Sequence, residues 1–160
     1  MWEIAIHYNT TMSGNTCFWI AGETEGCHKH WPQDDRVVFL GHLREEKLKK
    51  YLKMADVIMN LSYGSWCDNS LIEGICAGCI PISSNQGGNA EFVKKCNGII
   101  VDIDREIKPK YMRLKPPKIN EQRVVEGIDQ AFRLSPEINI EPIHIKNIAK
   151  QYKKVFEAVV

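Results

Sequence analysis

The chain has 160 residues, a length that fits one domain of residues 1–160 with enough mass to bury a core. Hydrophobic residues make up 44% and charged residues 26%, and the formal net charge is +1, so no global field favours nucleic acid or a membrane surface. Its apolar runs fall far short of the roughly 20 residues a membrane span needs, and Met1-Trp2-Glu3 offers no basic start to a signal peptide.

In chain order, Trp2, Ile4, Ile6 and Tyr8 alternate like a strand, but the next apolar run follows too soon for a parallel crossover, which argues for a helix. Thr16–Ala21, Val37–Leu40, Val57–Leu61, Cys79–Ile82 and Gly98–Val101 are short continuous apolar runs, as expected of strands buried on both faces of a parallel sheet. Between them lie helical patterns. Arg44–Ala55 puts Leu48, Tyr51, Leu52 and Ala55 on one face and pairs Glu45 with Lys49 and Glu46 with Lys50 on the other. Ser70–Ala77 ends at Gly78, and Asn89–Lys95 ends near Asn97-Gly98. Residues 104–118, rich in proline and basic side chains, read as a surface loop. Asn120–Leu134 and Pro142–Val159 each carry an apolar stripe, the second made of Ile145, Ile148, Tyr152, Val155, Phe156 and Val159, with Pro142 in its first turn. Alternating strands and helices predict an α/β fold, an open parallel Rossmann-like sheet flanked by helices.

The informative stretch runs from Ala55 to Val101. A strand ends at a loop containing Gly64, Ser65, Trp66, Cys67 and Asp68, and a helix begins at Asn69-Ser70. A helix start at the carboxyl edge of a parallel sheet offers unpaired N–H groups and a positive dipole end, which suits phosphate. Glu73, one turn in, has two readings. It is an acceptor for a ribose diol, as acidic residues are in dinucleotide folds, or it closes a capping box with Ser70 and merely ties down its own helix. The next strand leads to Ser83-Ser84-Asn85-Gln86-Gly87-Gly88, where two glycines permit close backbone approach to a ligand or simply make a turn.

The runs ADVIMNLS, CDNSLIEGICAGCIPI, SNQGGNAEFV and NGIIVD, in that order, resemble the glycosyltransferase group 1 family of retaining enzymes with two Rossmann-like domains, the GT-B architecture. VVFLG with KLKKYLKMADV matches the preceding strand and helix, and HIKNIAKQYKKVFEAV is similar to the family's closing helix. The resemblance covers residues 36–103 well and 120–158 loosely. It implies the C-terminal, donor-binding half of such an enzyme, transferring a hexose from a nucleotide diphosphate sugar to a glycan or lipid acceptor. It places the diphosphate on Asn69, Ser70 and Leu71, the donor ribose on Glu73, the sugar and phosphates near Gly87 and Gly88, and the base near His42. Two departures stand out. The family's earlier glutamate, eight positions before Glu73, is Ser65 here, and Asp68 is the nearest acid. The family's domain also opens with a strand and a basic loop that nothing before Trp2 supplies. The expectation is half an enzyme that needs an N-terminal acceptor domain or a partner subunit, or else a non-catalytic sugar-nucleotide-binding or interaction subunit that needs a partner domain.

Cys76-Ala77-Gly78-Cys79 forms a C-x-x-C that, with Cys27, His28 and His30, invites a zinc or redox reading. A reactive C-x-x-C sits at a helix start, and this one sits at a helix end, so both thiols are expected buried as packing groups with no metal. Trp31 and its Cys/His neighbours read as a solvated loop, and no Ser/His/Asp order suggests hydrolysis. The basic loop 108–118 reads as solvated, or as a contact for an anionic membrane face or acceptor phosphate. The expected setting is cytoplasmic with reduced thiols, with no metal or cofactor beyond the donor substrate and no nucleic-acid partner. Peripheral placement at the membrane face is the alternative.

Overall fold

The computed structural model describes residues 16–22, 34–62, 67–103 and 119–159. Readings that fall on the first ten residues, on Cys27, His28, His30 and Trp31, on Ser65, or on the basic loop 104–118 lie outside them. The described chain is α/β. Strands β1 (Phe18–Ala21), β2 (Val37–Gly41), β3 (Val57–Asn60), β4 (Ile80–Ser84) and β5 (Ile99–Val101) alternate with α1 (Glu45–Met54), α2 (Asn69–Ala77), α3 (Asn89–Lys95), α4 (Glu121–Leu134) and α5 (Ile145–Val159).

All strand pairs among the described residues are parallel, and they form two ladders. β1 pairs with β2, and β3-β4-β5 form the second ladder in that order. Among the described residues no strand joins β1 to β3. The two ladders have the order of the flanks of a doubly wound sheet, in which the first strand lies between strand 2 and strand 4.

Burial separates the ladders as well. β4 and β5 supply Ile82, Ile99 and Val101, which pack with Val124, Val125, Ile128 and Ala131 of α4 into the core, and Phe18 of β1 leans on that cluster. Leu71 and Ile75 of α2 and Val93 of α3 are buried too. The continuous apolar runs at β1 and β2 led to an expectation of burial on both faces. Instead Phe18, Trp19 and Ile20 are half-buried, and Val37 alone in these two strands is buried. Among the described residues this two-stranded ladder has no further strand beside it, and two strands alone bury little.

The local chemistry explains the element ends. α1 carries Glu45 and Glu46 in its first turn, where they favour the dipole, and Lys49 meets Glu45 at 2.5 Å. α2 stops at Gly78, which takes φ 98° and closes a Schellman motif: its N–H donates to the Ile75 carbonyl at 3.0 Å and the Cys79 N–H to the Gly74 carbonyl at 2.9 Å. Asn120 caps α4 by accepting from the Arg123 N–H. Pro142 does not open α5. It sits in a separate 3-10 turn, Glu141–Ile143, and His144 in extended conformation parts the turn from the helix. The stripe of α5 is largely uncovered, with Ile145, Tyr152, Val155 and Phe156 between 60% and 71% exposed and Ile148 half-buried.

Candidate functional site

Three loops leave the carboxyl ends of β2, β3 and β4, and the residues expected to bind a ligand lie on them or on the helices they start. Gly41 takes φ 62° and hands the chain to His42, which is exposed. Edge-on packing of Trp19 against Tyr51, with centroids 5.1 Å apart, fixes α1 on the first ladder.

The start of α2 is the centre of the site. Asp68 is its N-cap, with φ −84° and ψ 120°, and Asn69 and Ser70 are its first two helical residues, both exposed. Leu71 is fully buried, and its N–H already donates to the Asp68 carbonyl at 3.1 Å, joined by the Ile72 N–H at 3.3 Å. That leaves the N–H groups of Asn69 and Ser70 as the first-turn donors outside this bonding. No side chain caps the helix. First-turn amides, with their share of the helix dipole, are the kind of group that can hold an anion.

Helix numbering bears on the capping-box reading of Glu73. With Asp68 as N-cap, the third helical position is Leu71, so Glu73 is not the capping-box residue. Its side chain is exposed. It lies on the side of α2 towards α1: the pKa of Lys49 is raised mainly by its hydrogen bond to Glu45 and by that residue's charge, and further by the charge of Glu73.

A polar network that the sequence did not announce ties the site together. The Asp68 carboxylate accepts from Asn60 Nδ2 at 2.8 Å and from Asn89 Nδ2 at 2.6 Å, while the Asp68 N–H donates to Asn89 Oδ1 at 2.9 Å. Asn60 ends β3 and also accepts the Ser62 N–H at 2.9 Å. Asn89, fully buried, is the first residue of α3. The loop after β3 is held to β4 by the buried Ser84, whose hydroxyl donates to the Ser62 carbonyl at 2.9 Å. These partners lie 8, 21 and 22 positions apart, so no local pattern could have revealed them.

On β4's side, Gly87 takes φ 72° and is exposed, while Gly88, half-buried, is the N-cap of α3. The turn between them is steadied by Asn85, whose N–H donates to the Val101 carbonyl at 3.0 Å, whose Oδ1 accepts the Ile103 N–H at 3.0 Å, and whose amide meets Asp102.

The C-x-x-C needs a correction. Cys79 is fully buried, and its thiol donates to the Leu52 carbonyl at 3.1 Å and the Ala55 carbonyl at 3.3 Å, closing the end of α1. Cys76 is exposed, because at the last turn of α2 it faces away from the sheet. Burial raises the Cys79 thiol pKa, with a smaller push from Asp56. Among the described residues no group of three or more His, Cys, Asp or Glu could hold a metal ion, and no helix is long and apolar enough to cross a membrane.

The fold has known counterparts. A solved structure described as WaaG, a glycosyltransferase involved in lipopolysaccharide biosynthesis, matches with a TM-score of 0.57 at 17% identity, over 84% of this chain and 34% of that one. At this identity the likeness is one of fold, and the chain spans about a third of that neighbour's length. No curated protein matches the sequence. The family model described as Glycosyl transferases group 1 matches residues 5–109, more than half of the chain. The chain belongs to the glycosyl transferases group 1 family.

Proposed function

We propose that this domain binds a nucleotide diphosphate sugar and acts as the donor-binding, C-terminal half of a retaining GT-B glycosyltransferase that transfers a hexose to a glycan or lipid acceptor. The observation that carries the reading is the start of α2, which has no side-chain cap and whose first two residues, Asn69 and Ser70, are exposed. The diphosphate sits on those amides, the ribose on Glu73, the donor sugar beside Gly87 and Gly88, and the base towards His42. Leu71 shapes the site from the core side. The amides and about half a positive charge of helix dipole stabilise the departing diphosphate without any demand for a metal. Acceptor binding belongs to a further domain or partner subunit.

A second reading, a sugar-nucleotide-binding subunit without catalysis, is favoured by one observation. Asp68, the acid nearest to the position where Ser65 replaces the family's usual glutamate, is committed to Asn60 and Asn89. On this reading a sugar nucleotide binds no more tightly than the bare nucleoside diphosphate, whereas a donor site that grips the sugar binds it better.

Calorimetry with UDP, GDP, ADP and their sugar conjugates tests the proposal. One base class should bind the 160-residue chain in about the millimolar to high-micromolar range. Glu73→Gln should weaken that binding several-fold and leave the melting temperature almost unchanged, since Glu73 makes no cap. If none of the panel binds, or if Glu73→Gln costs stability and spares binding, the site assignment is wrong.

A further inference from the structure

We propose that Asn60 and Asn89 are positioning residues that hold the Asp68 carboxylate away from the start of α2, so that the first-turn amides stay available to a diphosphate. This rests on the donor-site reading above and gives it a device.

An aspartate at an N-cap ordinarily turns its side chain onto the second or third amide of its helix, a contact worth about 1 kcal/mol. Asp68 has the extended backbone of such a residue, yet its carboxylate makes no cap hydrogen bond. Both asparagine amides donate to the same oxygen, Oδ2, at 2.8 and 2.6 Å. Neither amide can flip without loss. Asn60 Oδ1 is engaged by the Ser62 N–H and Asn89 Oδ1 by the Asp68 N–H, which leaves each NH₂ facing the carboxylate. Asn89 is fully buried, so an unsatisfied amide there would be costly.

The arrangement matters because a carboxylate and a diphosphate want the same N–H donors. A capping Asp68 would fill them with its own negative charge and repel the ligand. Held back, the same carboxylate locks the end of β3 to the starts of α2 and α3 and leaves the donors to the ligand.

The test uses the 160-residue chain and calorimetry with whichever of UDP, GDP or ADP binds the wild type best. Asn89→Ala releases the carboxylate and should weaken binding about tenfold, equivalent to 1.4 kcal/mol. Asn89→Ala with Asp68→Ala removes the competitor and should return binding to within about threefold of wild type. A network with only a structural role gives the opposite, a double variant at least as weak as the single one, and that result overturns the proposal. Because Asn89 is buried, the half-buried Asn60 carries the same test through Asn60→Ala and Asn60→Ala with Asp68→Ala. Asp68→Ala alone should also stay within about threefold of wild type, and losing binding there overturns the proposal. If the wild type binds no nucleoside diphosphate, the donor-site reading itself fails and this proposal with it. If the wild type binds and neither asparagine variant changes the affinity, only this proposal fails.

Discussion

Cys76 and Cys79 lie three positions apart and in opposite surroundings. Cys79 is buried at the end of α1, donates to two carbonyls, and has its thiol pKa raised by desolvation. Cys96 is buried and likewise raised, while Cys76 faces solvent. Since the thiolate is the reactive form, alkylation of the folded protein at about pH 8 should label Cys76 well before Cys79 or Cys96. Peptide mass spectrometry after a short iodoacetamide pulse reads this, and equal labelling of Cys76 and Cys79 would mean that the end of α2 opens in solution. Residue by residue, the sequence told types better than surroundings. That Cys79 packs was legible from the apolar run it begins. That Cys76 does not pack depends on which way the last turn of α2 faces. Likewise the S-x-x-E spacing offered a capping box at Ser70–Glu73, but the helix starts two residues before Ser70 would allow, so Glu73 falls past the capping position. The roles of Asn60, Asp68 and Asn89 were not legible at all, because each depends on a contact made across two or three elements.

The packing of α2 on β3 shows how an element depends on one missing side chain. Gly74 lies midway along α2, and a Cβ there would meet three Ile58 side-chain atoms, the nearest at 2.6 Å. Ile58 is β-branched and stiff, so it cannot step aside easily. Gly74→Ala gains up to about 1 kcal/mol of helix propensity but incurs about 1–3 kcal/mol of overpacking. Overpacking should win, lowering the urea midpoint with an unchanged slope. The same push lifts α2 off the sheet beside Glu73, so nucleotide binding should weaken too. A more stable Gly74→Ala would show that the helix shifts without strain. At this scale the sequence was read well: α3 begins and ends as expected, and most other bounds lie within a residue or two. The exception is Pro142. Its fixed φ suits a first turn of either kind, and what separates the 3-10 turn from α5 is the extended His144, which has no sequence signature. The uncovered stripe of α5 is the counterpart case. Its periodicity announced an apolar face, and the structure leaves most of that face in solvent.

For the whole molecule, the expected parallel α/β architecture is what the structure has: every strand pair among the described residues is parallel. Apolar runs report that strands exist, but pairing is a long-range property, and which strands neighbour which leaves no trace in any one run. The pairing and burial of the described strands have an energetic consequence. β4 is paired on both sides, to β3 from Val57 to Asn60 and to β5 from Ile82 to Ser84, and Ile82, Ser83 and Ser84 are fully buried. Its amides can exchange only when the core of β4, β5 and α4 opens. Among the described residues β1 and β2 pair only with each other, and they reach the core chiefly through Phe18. Two strands with little burial are marginal by themselves, so the first ladder should open as a separate unit without global unfolding. Native-state hydrogen exchange should then show protection in β1 and β2 roughly tenfold or more below that in β4 and α4, with little dependence on dilute denaturant. The amides of Ile82 and Ser83 should instead track global unfolding and its full denaturant slope. Should the amides of Trp19 and Phe39 exchange with the same free energy and slope as those of β4, the two ladders unfold as one unit.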